Sequence, residues 1–183
     1  MRSWERDQTQ RPVITDLHLN LLVTGRCVEL RCLELALNVF SNRPAYRMDL
    51  TLTAARQLLY DFHELRQFSN MVILAALFPR YNLPALSSDP ISCALFLSAC
   101  LREANISGSE PAWTVAETFL PSFRKLLSQT LPMPVPVEDN RFLENRWMKD
   151  AMLSVLHSLV VRGDEARWVK DWCHQSQYNL SNE

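Results

Sequence analysis

The histidines are the first residues to test for chemistry, and there are four: His18, His63, His157 and His174. None stands at metal-ligand spacing from a second His, Cys or Asp. Cys173 and His174 are adjacent and so face different directions. His63-Glu64 opens like a zinc-protease helix, but no second His follows four residues on. No serine sits in a G-x-S-x-G elbow. The carboxylates Asp16, Glu29, Asp61 and Glu64 are scattered over helical stretches, several near an arginine, which suits salt-bridged surfaces rather than an acid/base pair. With 3 glycines in 183 residues, neither the dinucleotide fingerprint nor the P-loop can be built, because both need clustered glycines to admit phosphate. The chain reads as a non-enzyme with no catalytic, metal-binding or cofactor-binding residue and no small-molecule substrate.

The five cysteines, Cys27, Cys32, Cys93, Cys100 and Cys173, contain no C-x-x-C. Cys27 and Cys32 lie in one apolar helical pattern and Cys93 and Cys100 in another. Buried, reduced thiols in a reducing compartment are the expectation. A net charge of -1 excludes nucleic-acid binding driven by bulk charge, although a local basic strip from Arg56, Arg66, Arg80, Arg102, Arg124 or Lys125 stays open. No apolar run reaches the ~18 to 20 residues that span a bilayer. Residues 1–11 alternate charges and lack the apolar core of a secretory signal, so secretion is not expected.

The elements that would position these residues are helical almost throughout. Val13, Leu17, Leu21 and Leu22 form one apolar face, broken at Gly25. A longer, nearly all-round apolar helix follows over residues 28–40, stopped at Ser41-Asn42-Arg43-Pro44. Helices are predicted over residues 50–60, capped by Asp49 or Thr51, and from about His63 or Gln67 to Phe78. Asp89 with Pro90 is the favoured start of another, since the missing proline N–H has no partner in the first turn anyway. It runs to about Ala104 and turns at Gly108. The next, from Ser109 or Glu110, contains Pro121, which should kink or split it. Pro132 to Pro136 is an extended spacer. A helix from Asp139 or Asn140 runs past Leu159, turns at Gly163 and leads to a last helix capped by Asp164. The three glycines fall at turns inside helix pairs, and most prolines fall between pairs. The step from Asp49 to Asp89 is about 40 residues, in the range of helical-hairpin solenoids. The expected fold is all-α: about four antiparallel hairpins (residues 12–42, 50–79, 89–131 and 139–175) stacked as an α-solenoid, with a flexible segment at 1–11 and a polar tail at 176–183.

Residues Pro12 to Gly25, then Leu35-Ala36-Leu37-Asn38-Val39-Phe40, then Pro44 and Asp49, resemble the pentatricopeptide repeat: a first helix closing on Gly, a second carrying Ala-Leu-x-x-Phe, and a loop ending in an acid. Leu74-Ala75-Ala76-Leu77-Phe78 stands at the same place in the second pair. Phe119-Leu120-Pro121-Ser122-Phe123 stands there in the third. The array is similar to degenerate ones in fungal mitochondrial proteins. The resemblance implies a mitochondrial helical-repeat adaptor in RNA metabolism or translation, bound to single-stranded RNA or to a ribonucleoprotein. Its base-reading positions fall on Thr15 with Asp49 and on Thr53 with Asp89, where hydrogen bonds to base edges would read one nucleotide per repeat. The same residues also read as helix N-caps and first-turn polar residues. A protein-interaction scaffold in the cytoplasm, without RNA contact, is the alternative. Trp147, Trp168 and Trp172 crowd the last hairpin, as the filling of a terminal core or as a docking patch.

Overall fold

The computed structural model describes His18 and residues 26–46, 48–130 and 141–176. Thr15, Gly25, the first helix of the first hairpin, the proline spacer and the Asp139-Asn140 cap lie outside them. Among the described residues there are eight α-helices and no strand: α1 (Leu33–Ser41), α2 (Arg43–Tyr46), α3 (Leu52–Glu64), α4 (Phe68–Arg80), α5 (Pro90–Ser107), α6 (Glu110–Gln129), α7 (Arg141–Arg162) and α8 (Arg167–Gln175), with a 3-10 turn at Leu86–Ser88. No helix among these residues is long and apolar enough to cross a membrane.

Several starts and stops follow the local chemistry. Thr51 caps α3, its hydroxyl accepting from the Ala54 N–H at 3.3 Å. The Asp89 carboxylate caps α5, accepting from the Ser92 N–H at 3.0 Å, with Pro90 as the first helical residue. Ser109 caps α6. Gly108 and Gly163 take left-handed conformations (φ 65° and 81°), the region that costs an L side chain a clash with its own carbonyl. The turn between α3 and α4 has no glycine; Arg66, exposed at φ 57°, takes that conformation instead.

Other expectations are corrected. The long apolar helix over residues 28–40 is broken at Arg31-Cys32, where Arg31 is left-handed (φ 53°), so α1 starts only at Leu33. The expected stop at Ser41-Asn42-Arg43-Pro44 does end α1 at Ser41, but Pro44 itself sits in the first turn of the short α2, where its missing N–H leaves no bond unmade. α3 continues to Glu64. Pro79 lies inside the last turn of α4 and not beyond it. Pro121 does not split α6, which runs on to Gln129. The carbonyl of Glu117, which Pro121 cannot serve, belongs to an exposed wall open to water. Asp164 does not cap α8. Ala166 precedes that helix, and Asp164 pairs with Arg162 at 3.6 Å.

α5 organises the packing. Every residue from Ile91 to Leu101 is buried, including Ser92 and Ser98. An all-round apolar helix must be enclosed, and its small residues Ala94, Ala99, Cys93 and Cys100 let neighbours approach closely. It packs against α3, α4, α6, α7 and the 3-10 turn. The core around it includes Leu58, Phe62, Leu74, Phe78, Phe123 and Met148. α1 joins this core through Leu33, Leu37 and Phe40. It is tied to the end of α4 by the Tyr81 hydroxyl, which donates to the Phe40 carbonyl at 2.5 Å, and by Arg80, which donates to the Ser41 carbonyl at 3.0 Å.

The pairs α3/α4, α5/α6 and α7/α8 follow one another, and α3, α5 and α7 run parallel. At their N-terminal ends Arg56 reaches Asp89 and Glu144. Toward their C-terminal ends Arg102 reaches the His63 carbonyl and Asn105 reaches the Ser158 carbonyl. α3 and α7 also touch each other directly. Tyr60 donates to Asp150 at 3.0 Å and packs on Trp147 with ring centroids 5.8 Å apart. Hairpins two steps apart do not meet in an open stack; here their first helices close over the one between.

Candidate functional site

Of the four residues aligned with base-reading positions, three are described, and no hydrogen bond or ion pair joins Asp49, Thr53 and Asp89 to one another. Thr15 lies outside the described residues. Asp49 is exposed and pairs with Arg43 at 2.6 Å. Thr53 is exposed on α3. Asp89 is buried at 5% exposure and held by three hydrogen bonds. Arg56 donates Nε to its Oδ2 at 3.0 Å and Nη2 to its Oδ1, a bidentate fork, while the Ser92 N–H caps the same carboxylate. The third arm of Arg56, Nη1, donates to Glu144 Oε1 at 2.5 Å. Burial alone would raise Asp89, but the Arg56 fork and the Ser92 N–H outweigh it and hold the carboxyl below the usual aspartate range. Burial likewise opposes the charge on Arg56, and the two carboxylates reverse that effect. This trio is a charge clamp at the N-terminal ends of α3, α5 and α7, and it engages both carboxylate oxygens of Asp89 within the fold.

A second polar cluster fills the seam along the same three helices. His63 is 3% exposed; its Nε2 has no partner, and its Nδ1 lies 3.4 Å from Glu64. Burial first, and the Arg102 charge second, lower it to about 4, so it is neutral at physiological pH. Asp61 is raised to about 6 by burial, against two hydrogen bonds from the Gln57 amide at 3.0 and 2.9 Å. Tyr60 is pushed up to about 12 by burial and by Asp150 beside it. A base near pH 6 and a neutral histidine resemble acid/base machinery. Yet Asp61 is 9% exposed, His63 is 3% exposed, and neither lines either of the two described cavities.

The open feature lies elsewhere, between α6 and the α7–α8 corner. A groove of about 800 Å³ is lined by Trp113, Leu120, Pro121, Leu159 and Trp168, with Glu117, Lys125 and Ser128 along its rim. α6 supplies residues at steps of three and four, 113, 117, 120, 121, 124 and 128, which is one face of a helix. Phe123 of α6, fully buried, holds Trp168 edge-on at 6.1 Å. Arg162 stacks over Trp113 with its guanidinium 3.3 Å from the ring centroid. Arg124 lies 6.0 Å from the Trp168 ring and pairs with Glu165 at 3.8 Å. Of the three tryptophans expected in the last hairpin, Trp147 and Trp172 fill the core (3% and 6% exposed), and Trp168 alone opens to this groove. Sequence reasoning missed Trp113. Its partner Arg162 is distant in sequence, and no local pattern announces that pair.

No family model matches the chain, no curated protein matches its sequence, and no solved structure matches its fold.

Proposed function

We propose that this protein is a non-catalytic helical adaptor that docks a protein partner in the α6–α8 groove. The observation that carries the reading is the pair of half-exposed indoles, Trp113 and Trp168, held by Arg162, Arg124 and Phe123 on either side of an apolar trough. Rigid Trp side chains backed by Arg are the residue types that concentrate binding energy at protein interfaces. A groove this size takes a short segment of a partner.

The parallel α3, α5 and α7 support descent from a hairpin array, closed by the α3–α7 contact. The resemblance to the pentatricopeptide repeat supports a mitochondrial ribonucleoprotein as the setting, with the contact made to a protein component. Protein is favoured over RNA because the first-helix surface, where a strand would lie, is occupied. Asp89 is held by Arg56, Arg56 by two carboxylates, and Arg102 by the His63 carbonyl. No open basic strip is left along α3 and α5.

A photoreactive amino acid placed at Ser128, on the groove rim, tests this against one placed at the exposed Ser107 at the end of α5. Crosslinked material from cells is analysed by mass spectrometry and by RNA sequencing. The expected result is one dominant protein adduct from Ser128 and none from position 107. Recovery of RNA, or equal adducts from both positions, overturns the reading.

A further inference from the structure

The turn that breaks the expected long helix places two cysteines together. Along a continuous helix, residues five apart point about 140° away from each other. Here residues 26–32 fold back: Leu30 N–H donates to the Arg26 carbonyl at 3.0 Å, Arg31 N–H to Val28 at 3.1 Å, and Cys32 N–H to the Cys27 carbonyl at 2.9 Å. Arg31 at φ 53° makes the reversal. The reversal thus brings the two cysteines together across a single turn, joined directly backbone to backbone.

The two thiols differ in access. Cys27 is 8% exposed, and Cys32 is half-buried. Cys32 also lines a crevice of about 340 Å³ with Arg31, Leu35, Asn38, Leu65 and Gln67. That wall offers a guanidinium and two amides, donors suited to the carboxylates and peptide carbonyls of a small peptide disulfide, and one carboxylate, Glu34, suited to its ammonium groups. We propose that Cys27 and Cys32 form a redox-active dithiol that closes reversibly to an intramolecular disulfide by exchange with a small peptide disulfide such as glutathione disulfide.

Cys32, as the accessible thiol, reacts first. It gives its proton to water, its thiolate attacks one sulfur of glutathione disulfide, and the oxidant's S–S bond breaks to release one glutathione thiolate, which is protonated. Cys27 then loses its proton and attacks the Cys32 sulfur, expelling the second glutathione. Two protein thiols are oxidised, and one disulfide is reduced to two thiols. Burial first, and the neighbouring Cys32 second, push the Cys27 thiol up, which suits a resolving thiol that acts only once a sulfur is bonded beside it. Cys93, Cys100 and Cys173 are buried, with burial pushing them up to about 12, 12 and 11. They serve as internal controls.

The test uses the full chain equilibrated with mixtures of reduced and oxidised glutathione, quenched by alkylation, cut with trypsin and analysed by mass spectrometry. Cleavage after Arg31 separates the two cysteines, so the disulfide appears as residues 27–31 linked to residues 32–47, two hydrogens lighter than the separate peptides. Under oxidising mixtures the linked species should dominate and revert with dithiothreitol, with the other three cysteines alkylated. C27S should stop at glutathione on Cys32, and C32S should leave Cys27 unmodified. The proposal is overturned if both thiols stay alkylatable in oxidising mixtures. It is also overturned if wild type stalls as the Cys32 adduct, or if the link forms only in urea.

Discussion

Replacing Arg56 by Leu removes the guanidinium that joins Asp89 and Glu144 and leaves the two carboxylates to fare differently. Glu144 retains 29% of its side-chain surface in water and can resolvate, so its loss is small, under about 1 kcal/mol. Asp89 has 5% exposure and keeps only the Ser92 N–H. Stranding one partner of a buried pair costs about 3–5 kcal/mol. The expected loss at pH 7 is therefore about 3–4 kcal/mol, a large part of the ~5–15 kcal/mol a domain has. With a urea dependence of about 2 kcal/mol per molar, the unfolding midpoint followed by circular dichroism should fall by about 1.5–2 M. The loss has a pH signature. In the parent protein Asp89 lies below its ordinary value of 3.8. Its contribution is thus complete above that pH and disappears only as pH falls through the lower, folded-state value. In R56L the stranded carboxylate titrates higher, and protonation relieves it. The gap between the two proteins should shrink to about 1 kcal/mol by pH 4, all other titrations being common to both. A gap below 1 kcal/mol at pH 7, or one that does not change with pH, would refute the argument that Asp89 is a buried charge held by Arg56.

Asp61 and His63 should pull stability in opposite directions between pH 4 and 6.5. Asp61, raised to about 6, holds its proton longer folded than unfolded, so it costs stability as pH rises from 3.8 to 6; D61N should remove that decline. His63, lowered to about 4, must charge on unfolding, so stability falls as pH drops from 6.5 to 4 by up to about 3 kcal/mol; H63Q should flatten that limb in urea titrations. Gly108→Ala meets no atom within 4 Å, so its cost should be the backbone strain at φ 65° alone, about 1 kcal/mol in thermal unfolding, with Gly108→Asn costing less. Phe123→Ala should cost about 3–5 kcal/mol and, by loosening Trp168, red-shift the tryptophan emission; an unshifted spectrum would mean that Phe123 does not position the groove indole.

The helical class and many of the helix ends are properties of short stretches of chain. Asp89-Pro90, Ser109 with Pro111, and Gly108 act within one turn, through a cap bond, a proline that needs no donor, or a left-handed residue, and each was legible. The failures were local patterns overruled by nonlocal ones. The apolar run over residues 28–40 reads as one helix until Leu33 and Phe40 must reach the α4–α5 core, and the reversal at Arg31 is what allows that. Arg66 turns the chain with no glycine to mark it. Asp89 carries both of its readings in sequence, cap and ligand contact. Only the arrival of Arg56 from α3, 33 residues away, commits the second carboxylate oxygen and closes the surface. The groove is the clearest case of tertiary choice. Phe123, Arg162 and Trp168 carry no mark that sets them apart from ordinary helical residues, and α6 and α8 have to be docked before Trp113 and Trp168 face one trough. The periodicity of this sequence determined which face of each helix is apolar; which of those faces stayed open was decided by long-range ion pairs and ring contacts, whose partners no window of sequence contains.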